Sequence, residues 1–331
     1  MPHDIAFNSE QTMKRKIGLV SVLMVVTSVL LMGEATAHRT KQVNIAMVLW
    51  RGETQAEKGF QSKLMASRKY QVNFTIFDAA QDKKELEYII ENLNTSRYHL
   101  IYSFGTTVTQ QLKKRITDLP IVFNIVSRPV KSNIIDSWDN SGCNIVGASN
   151  TVPMASAFHT LNKILHIGRL GFVYNPRELN SIIQRDEVKK LEKKFDYKMV
   201  DLPIETTESI PRVILKAVTS NVDAVLLPSD SLVKANADKI IPPLNKLKIP
   251  TIVLIPGMVE DDLAFVGLGP DYFQLGNLAA DKALAILNGK KPSELSSSPL
   301  DRLHMTVNLN TAEKIGVTIP IQLLRISTIV R

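Results

Sequence analysis

The segment HLIYSFGTTVTQQL, residues 99–112, sets an apolar, β-rich run directly against Gly105, Thr106 and Thr107. That pattern reads as a buried strand feeding a helix, with Thr106 or Thr107 as the N-cap. Such a junction presents backbone N–H groups and hydroxyls, which either close a turn or receive a carboxylate or other anion. Two later segments have the same form: LGFVY ends on Asn175, with Asn180 and Ser181 just beyond, and AVLLP ends on Ser229, Asp230 and Ser231. Gathered in one place, the helix N-termini and hydroxyls suit a carboxylate and Asp230 suits an ammonium, which is the chemistry that holds a small zwitterion.

Covalent and metal chemistry have less to work with. His99, His159, His166 and His304 are scattered, and no two of them share metal-ligand spacing on one face. Cys143 is the single cysteine, so neither an intramolecular disulfide nor a cysteine zinc site can form, and NSGCNIVG supplies no base to activate the thiol. The run Glu260, Asp261, Asp262 reads as a solvated loop rather than an acid/base pair. SFGTTV lacks the dinucleotide glycine spacing, and neither a phosphate-binding loop motif nor a nucleophile elbow is present. The expectation is a binding protein without catalysis, cofactor or metal.

The elements that must position these groups follow from the remaining sequence. At 331 residues and 44% hydrophobic content the chain exceeds the size at which one core stops growing, so two lobes are expected. The net charge of +8 comes from lysines interleaved with acids, as in EVKKLEKKF, which is a solvated basic surface and not a nucleic-acid module. At the N-terminus Lys14, Arg15 and Lys16 precede an apolar stretch from Ile17 to Met32 and then Ala35-Thr36-Ala37, the form of a secretion signal cleaved near Ala37. Met13 is an alternative start, and no cysteine stands at the cleavage point for lipid attachment. The expected location is the periplasm.

Beyond the leader, the apolar runs VNIAMVLW, VNFTIF, LIYSF and IVFNIV alternate with helical stretches over residues 43–126. The rhythm repeats with LGFVY, KMVDLPI, AVLLP and TIVLI over residues 169–255. This is the α/β pattern of doubly wound parallel sheets, and ligands of such sheets sit beyond the carboxyl ends of the strands. Two lobes would bring two such edges face to face, one presenting Gly105, Thr106, Thr107 and Ser127, the other Asn175, Asn180, Ser181, Asp230 and Ser231.

From VNIAMVLW to TIPIQLL the chain resembles the periplasmic substrate-binding proteins of ABC importers, in the branch related to tryptophan and other amino-acid binders. LIYSFGTTVTQQL, LPIVFNIVSRPV, NIVGASN, LGFVYNPRELNS, DAVLLPSDSLV, GLGPDYFQLGNLAADKALAILNGKKP and VNLNTAEKIGVTIP fall in the family's order. The resemblance implies two lobes joined by three hinge crossings, with 38–149 plus 272–301 as the first and 150–271 plus 302–331 as the second. It implies that Gly105, Thr106 and Thr107 meet a ligand carboxylate, that Asn175 and Asn180 line the far wall, and that Asp230 takes an amine; Ser149 and Asn150, from NIVGASN, join the expected site. A membrane permease is the implied partner of a monomer, and the alternative is a sensory protein that reports to a membrane kinase or cyclase. Two departures stand out. Arg128 occupies a place where the family usually carries an acid, and it either meets a second acidic group on the ligand, pairs with an acid such as Glu53, or sits on a solvated rim. The first junction reads LWRGETQAEKGF, where Trp50 either stacks on a ligand ring or closes the core edge, and Arg51 and Glu53 are further candidates.

Overall fold

The computed structural model describes residues 40–300 and 303–331, so the leader and start-site expectations lie outside the described residues. Among the described residues no helix is long and apolar enough to cross a membrane. Among the described residues thirteen strands form two sheets. They are β1 (Lys41–Leu49), β2 (Tyr70–Asp78), β3 (Leu100–Phe104), β4 (Ile121–Asn124), β5 (Ile145–Ser149), β6 (Arg169–Tyr174), β7 (Lys198–Pro203), β8 (Ala224–Leu227), β9 (Thr251–Val253), β10 (Val266–Gly269), β11 (Ser298–Pro299), β12 (His304–Asn308) and β13 (Thr328–Val330). In β3, β4, β5 and β8 every residue is buried, as expected of strands covered by helices on both faces.

The first sheet has six parallel strands in the order β11-β5-β4-β3-β1-β2. The second has seven in the order β13-β12-β10-β9-β8-β6-β7, with β12 antiparallel to β10 and the other pairs parallel. Each lobe therefore repeats one winding. Its first strand lies between its second and third, so successive connections depart in opposite directions on either side of the first strand. In the first lobe this switch falls between β1 and β3, and in the second between β6 and β8. Adjacent βα connections diverge at such a point and leave a crevice beyond the strand ends.

Cores follow from the strand period of two. Ala224 and Leu226 of β8 join one apolar cluster, whereas Val225 and Leu227 join another on the opposite face. The first lobe has a single cluster spanning both of its faces, and the Tyr272–Leu287 helix closes it by packing against the Gln55–Met65 helix. That contact is backbone-close. A Cβ on Gly276 would lie 2.0 Å from the carbonyl oxygen of Ala56, and one on Gly59 would lie 2.1 Å from that of Phe273. The Gln55–Met65 helix is started by a reciprocal cap, in which the Thr54 hydroxyl accepts from the Ala56 N–H and Glu57 accepts from the Thr54 N–H. Glu57 is fully buried and also accepts from the Tyr102 hydroxyl, which ties the cap to β3; burial pushes its carboxyl above the ordinary range.

Candidate ligand-binding cleft

The two switch points face one another across a small, partly open cavity. From the first lobe, Trp50 and Arg51 follow β1, and Gly105, Thr106 and Thr107 follow β3. From the second, Glu178 and Asn180 follow β6, and Ser229, Asp230 and Ser231 follow β8. Ser127, Asn150 and Tyr272, close to or within the segments that connect the lobes, complete the polar wall, and Phe104, Ile125 and Ile255 supply apolar surface.

The first-lobe wall donates. The Gly105–Arg115 helix begins two to three residues earlier than the sequence suggests: Phe104 is its N-cap residue, and neither threonine makes a capping bond. Gly105 takes the turn itself at φ +83°, in the region that favours glycine, and a Cβ there would meet nothing within 4 Å. The first-turn N–H groups of this 11-residue helix are thus left without a side-chain cap at the cavity. Beside them Trp50 Nε1, Arg51 Nε and Tyr272 Oη are shielded from water and have no hydrogen-bond partner. The Arg51 guanidinium lies 5.7 Å from the centre of the Phe104 ring and, among the described residues, forms no ion pair.

The second-lobe wall accepts, and its two carboxylates are unequal. Asp230 is 1% exposed and already engaged. It caps the Ser231–Ala235 helix by accepting from the Val233 N–H at 2.8 Å, and it accepts from the Asn175 N–H at 3.2 Å. Burial pushes its carboxyl above the ordinary range while these bonds pull it back. Glu178 holds only long contacts, 3.4 Å from the Ser231 N–H and 3.4 Å from Asn175 Nδ2. Burial first, and the neighbouring Asp230 charge second, push its carboxyl from 4.5 up to about 7. Glu178 is therefore the carboxylate with capacity to spare, and a cation arriving there relieves its desolvation.

Of the residues expected from sequence, Trp50, Arg51, Gly105, Thr106, Thr107, Ser127, Asn150, Asn180, Asp230 and Ser231 line the cavity. The others lie off its wall. Arg128 pairs not with Glu53 but with Glu187 on the Leu179–Lys190 helix of the opposite lobe, its Nε 2.7 Å from both carboxylate oxygens, and a second nitrogen donates to the Val152 carbonyl. Lys131 joins the same carboxylate. Glu53 accepts from Gln61 at 2.6 Å and faces an adjoining open groove. Ser149 turns its hydroxyl to the Val126 carbonyl at 2.6 Å, and Ser181, fully buried, accepts from the Asn175 N–H at 3.1 Å. Asn175 is held below the wall, its Oδ1 accepting from the Arg177 N–H at 2.9 Å. Glu178 and Tyr272 were not legible as site residues. Glu178 sits in a polar stretch that reads as a helix start, and Tyr272 opens a helix in a distant segment. Among the described residues no group of histidine, cysteine, aspartate and glutamate side chains is arranged to hold a metal ion.

The family model described as ABC transporter substrate binding protein matches residues 42–330. The chain belongs to this family. The tyrosine-binding protein of Clostridioides difficile strain R20291 is 25% identical over 267 residues, covering 79% of this chain and 76% of that protein. Among solved structures, the domain from Streptococcus pneumonia in complex with L-Trp superposes with a TM-score of 0.80 at 20% identity, covering 88% of this chain and 100% of that one. A conserved domain protein from Vibrio cholerae O1 biovar El Tor gives a TM-score of 0.82 at 24% identity, with coverage of 88% and 100%. The family consists of solute-binding proteins rather than enzymes, and the chain is an ABC substrate-binding protein of the two-lobed α/β type, related to amino-acid binders.

Proposed function

We propose that this substrate-binding protein closes its two lobes on an α-amino acid outside the cytoplasm and delivers it to a membrane ABC permease. The ligand's carboxylate lies at the uncapped start of the Gly105–Arg115 helix, and its ammonium lies against Glu178 with Asp230 behind it. The observation that carries this reading is the division of the cavity into a donor wall on one lobe and an acceptor wall on the other. A zwitterion satisfies both walls only when they are together, so its binding energy is available for closure. The amino-acid ligands named for two relatives support the same class. The leader sequence supports export, and a monomer suffices because both walls belong to one chain.

The test is a thermal-shift and calorimetry screen of the purified protein against the common L-amino acids and their amides. Binding by an amino acid, weakened strongly in its amide and in Glu178→Gln, is expected. No shift with any amino acid, or equal binding of acid and amide, overturns the reading. Loss of that amino acid's uptake in cells lacking the protein, restored by wild type and not by Glu178→Gln, is the expected outcome for delivery to a permease.

A further inference from the structure

The second lobe carries an exposed apolar patch at the end of its sheet farthest from the cleft. The parallel strands β6, β7, β8 and β9 lie side by side, their carboxyl ends toward the cavity and their amino ends at the opposite pole. Just before β8 and β9, Ala217, Val218, Val222, Leu247 and Ile249 line an open groove. Leu247 is 50% exposed, and Leu215, one helical turn before the exposed Val218, is 61% exposed. The exposed Leu263 joins them, its carbonyl accepting from the Asn245 amide. A single exposed leucine is ordinary, whereas a group of apolar side chains around one groove marks an interaction surface.

The rim of this groove is cationic. Lys216 precedes Ala217, Lys246 and Lys248 flank Leu247, and all three lysines are exposed. Arg169 and Lys198, also exposed, are cross-strand neighbours at the starts of β6 and β7, and Arg169 donates to the Ser220 carbonyl at 2.9 Å, beside the groove. Among the described residues none of these five cations forms an ion pair. Asp223, the acid in the lining, is engaged by the Gly168 and Arg169 N–H groups at 2.8 and 2.7 Å. Helix dipoles account for Lys216 and Lys246, which sit in last turns. They do not account for Arg169, Lys198 or Lys248, and Lys248 keeps a left-handed φ of +56° that favours glycine or asparagine.

Apolar side chains inside a ring of free cations match a negatively charged surface with apolar matter just beneath its charge. We infer that this pole docks on an anionic phospholipid bilayer, with the lysines and Arg169 at the phosphates and Leu215, Val218 and Leu247 at the boundary of headgroups and acyl chains. The cations stand on separate elements and no acidic side chain fixes them, so their charge is diffuse, which suits a lipid surface better than the fixed carboxylates of a protein partner. Docking here leaves both walls of the cavity free, because the patch lies at the other end of the strands. It would keep near the bilayer a chain whose leader offers no cysteine for lipid attachment.

Sedimentation of the purified protein with vesicles tests this, comparing phosphatidylglycerol–phosphatidylcholine mixtures with pure phosphatidylcholine. Binding to the anionic vesicles alone is expected, lost in about 1 M salt, where screening acts within about 3 Å. The double variant Lys246→Gln/Lys248→Gln should bind at least about tenfold more weakly, since each cation near an anionic surface is worth about fivefold. Leu247→Ser should also weaken binding while leaving the melting temperature little changed, and the fluorescence of Leu247→Trp should shift to the blue on anionic vesicles and not on polyglutamate. Binding to neither vesicle, equal binding to both, or wild-type binding by both the double variant and Leu247→Ser overturns the assignment. Binding to polyglutamate as tight as to anionic vesicles, with no blue shift of Leu247→Trp on the vesicles, overturns it in favour of an acidic protein partner. The assay uses no amino acid, so its outcome is read separately from that of the ligand screen.

Discussion

Glu178 and Asp230 sit on one wall and do different work. Asp230 uses both carboxylate oxygens to hold the backbone of two loops, so Asp230→Ala should lower the melting temperature, with about 1 kcal/mol or more lost from the helix cap alone. Glu178 instead holds back its bonding capacity at the cost of a raised pKa, about 7 against 4.5. The ligand-free protein therefore loses stability as pH rises from about 4.5 to about 7, because the folded state disfavours the ionised form. An ammonium favours that ionised form. Affinity should rise with pH across this window, approaching tenfold per pH unit at its acid end, and level off above it. Calorimetry from pH 5 to 8 checks this, and Glu178→Gln should flatten the curve. The sequence pointed to Asp230 as a cavity residue because its strand-end position is local information. Glu178 becomes a site residue only through Asp230, far along the chain, whose charge and loop enclose it.

At the scale of elements, the first lobe depends on two glycines where helices touch. Gly276→Ala places a Cβ 2.0 Å from the Ala56 carbonyl oxygen, so the Tyr272–Leu287 helix must move. A loss of roughly 1–3 kcal/mol in urea denaturation is expected. The eight strands read from apolar runs all form, because runs such as LIYSF and AVLLP are buried on both faces and carry a signal stronger than any local alternative. The start of the Gly105–Arg115 helix was less legible. A threonine after glycine is the usual capping pattern, but Gly105 absorbs the turn and leaves Thr106 inside the first turn. Thr106→Val should weaken carboxylate binding while shifting the melting temperature little, since the helix loses no cap.

Across the whole molecule the lobes are joined by an ion pair as well as by chain crossings. Arg128, Glu187 and Lys131 meet between the first-lobe segment after β4 and the second-lobe Leu179–Lys190 helix, with the Arg128 and Glu187 side chains 12% and 15% exposed. The pull of the two cations holds the Glu187 carboxyl below its ordinary range against the cost of its burial. Arg128→Gln should shift the ligand-free protein toward open lobes, seen as a larger radius of gyration in X-ray scattering, and weaken ligand binding by about tenfold. Unchanged scattering would mean that the pair turns with the hinge rather than holding it closed. This contact could not be read from SRPV, because Glu187 lies 59 residues away and its lobe has to fold first.

The helix that welds the first lobe arrives late in the chain. The strands β6 to β10 are contiguous, so most of the second sheet is available before residue 272 exists, whereas the first sheet has had five of its six strands since residue 149 and still lacks its Tyr272–Leu287 cover and the short edge strand β11. A chain threaded outward from its N-terminus therefore presents the first lobe's apolar face uncovered for the time it takes to emit the entire middle of the protein. The order of assembly is set by this return: the lobe begun first is finished second, and its exposed face is where a holding chaperone would be needed.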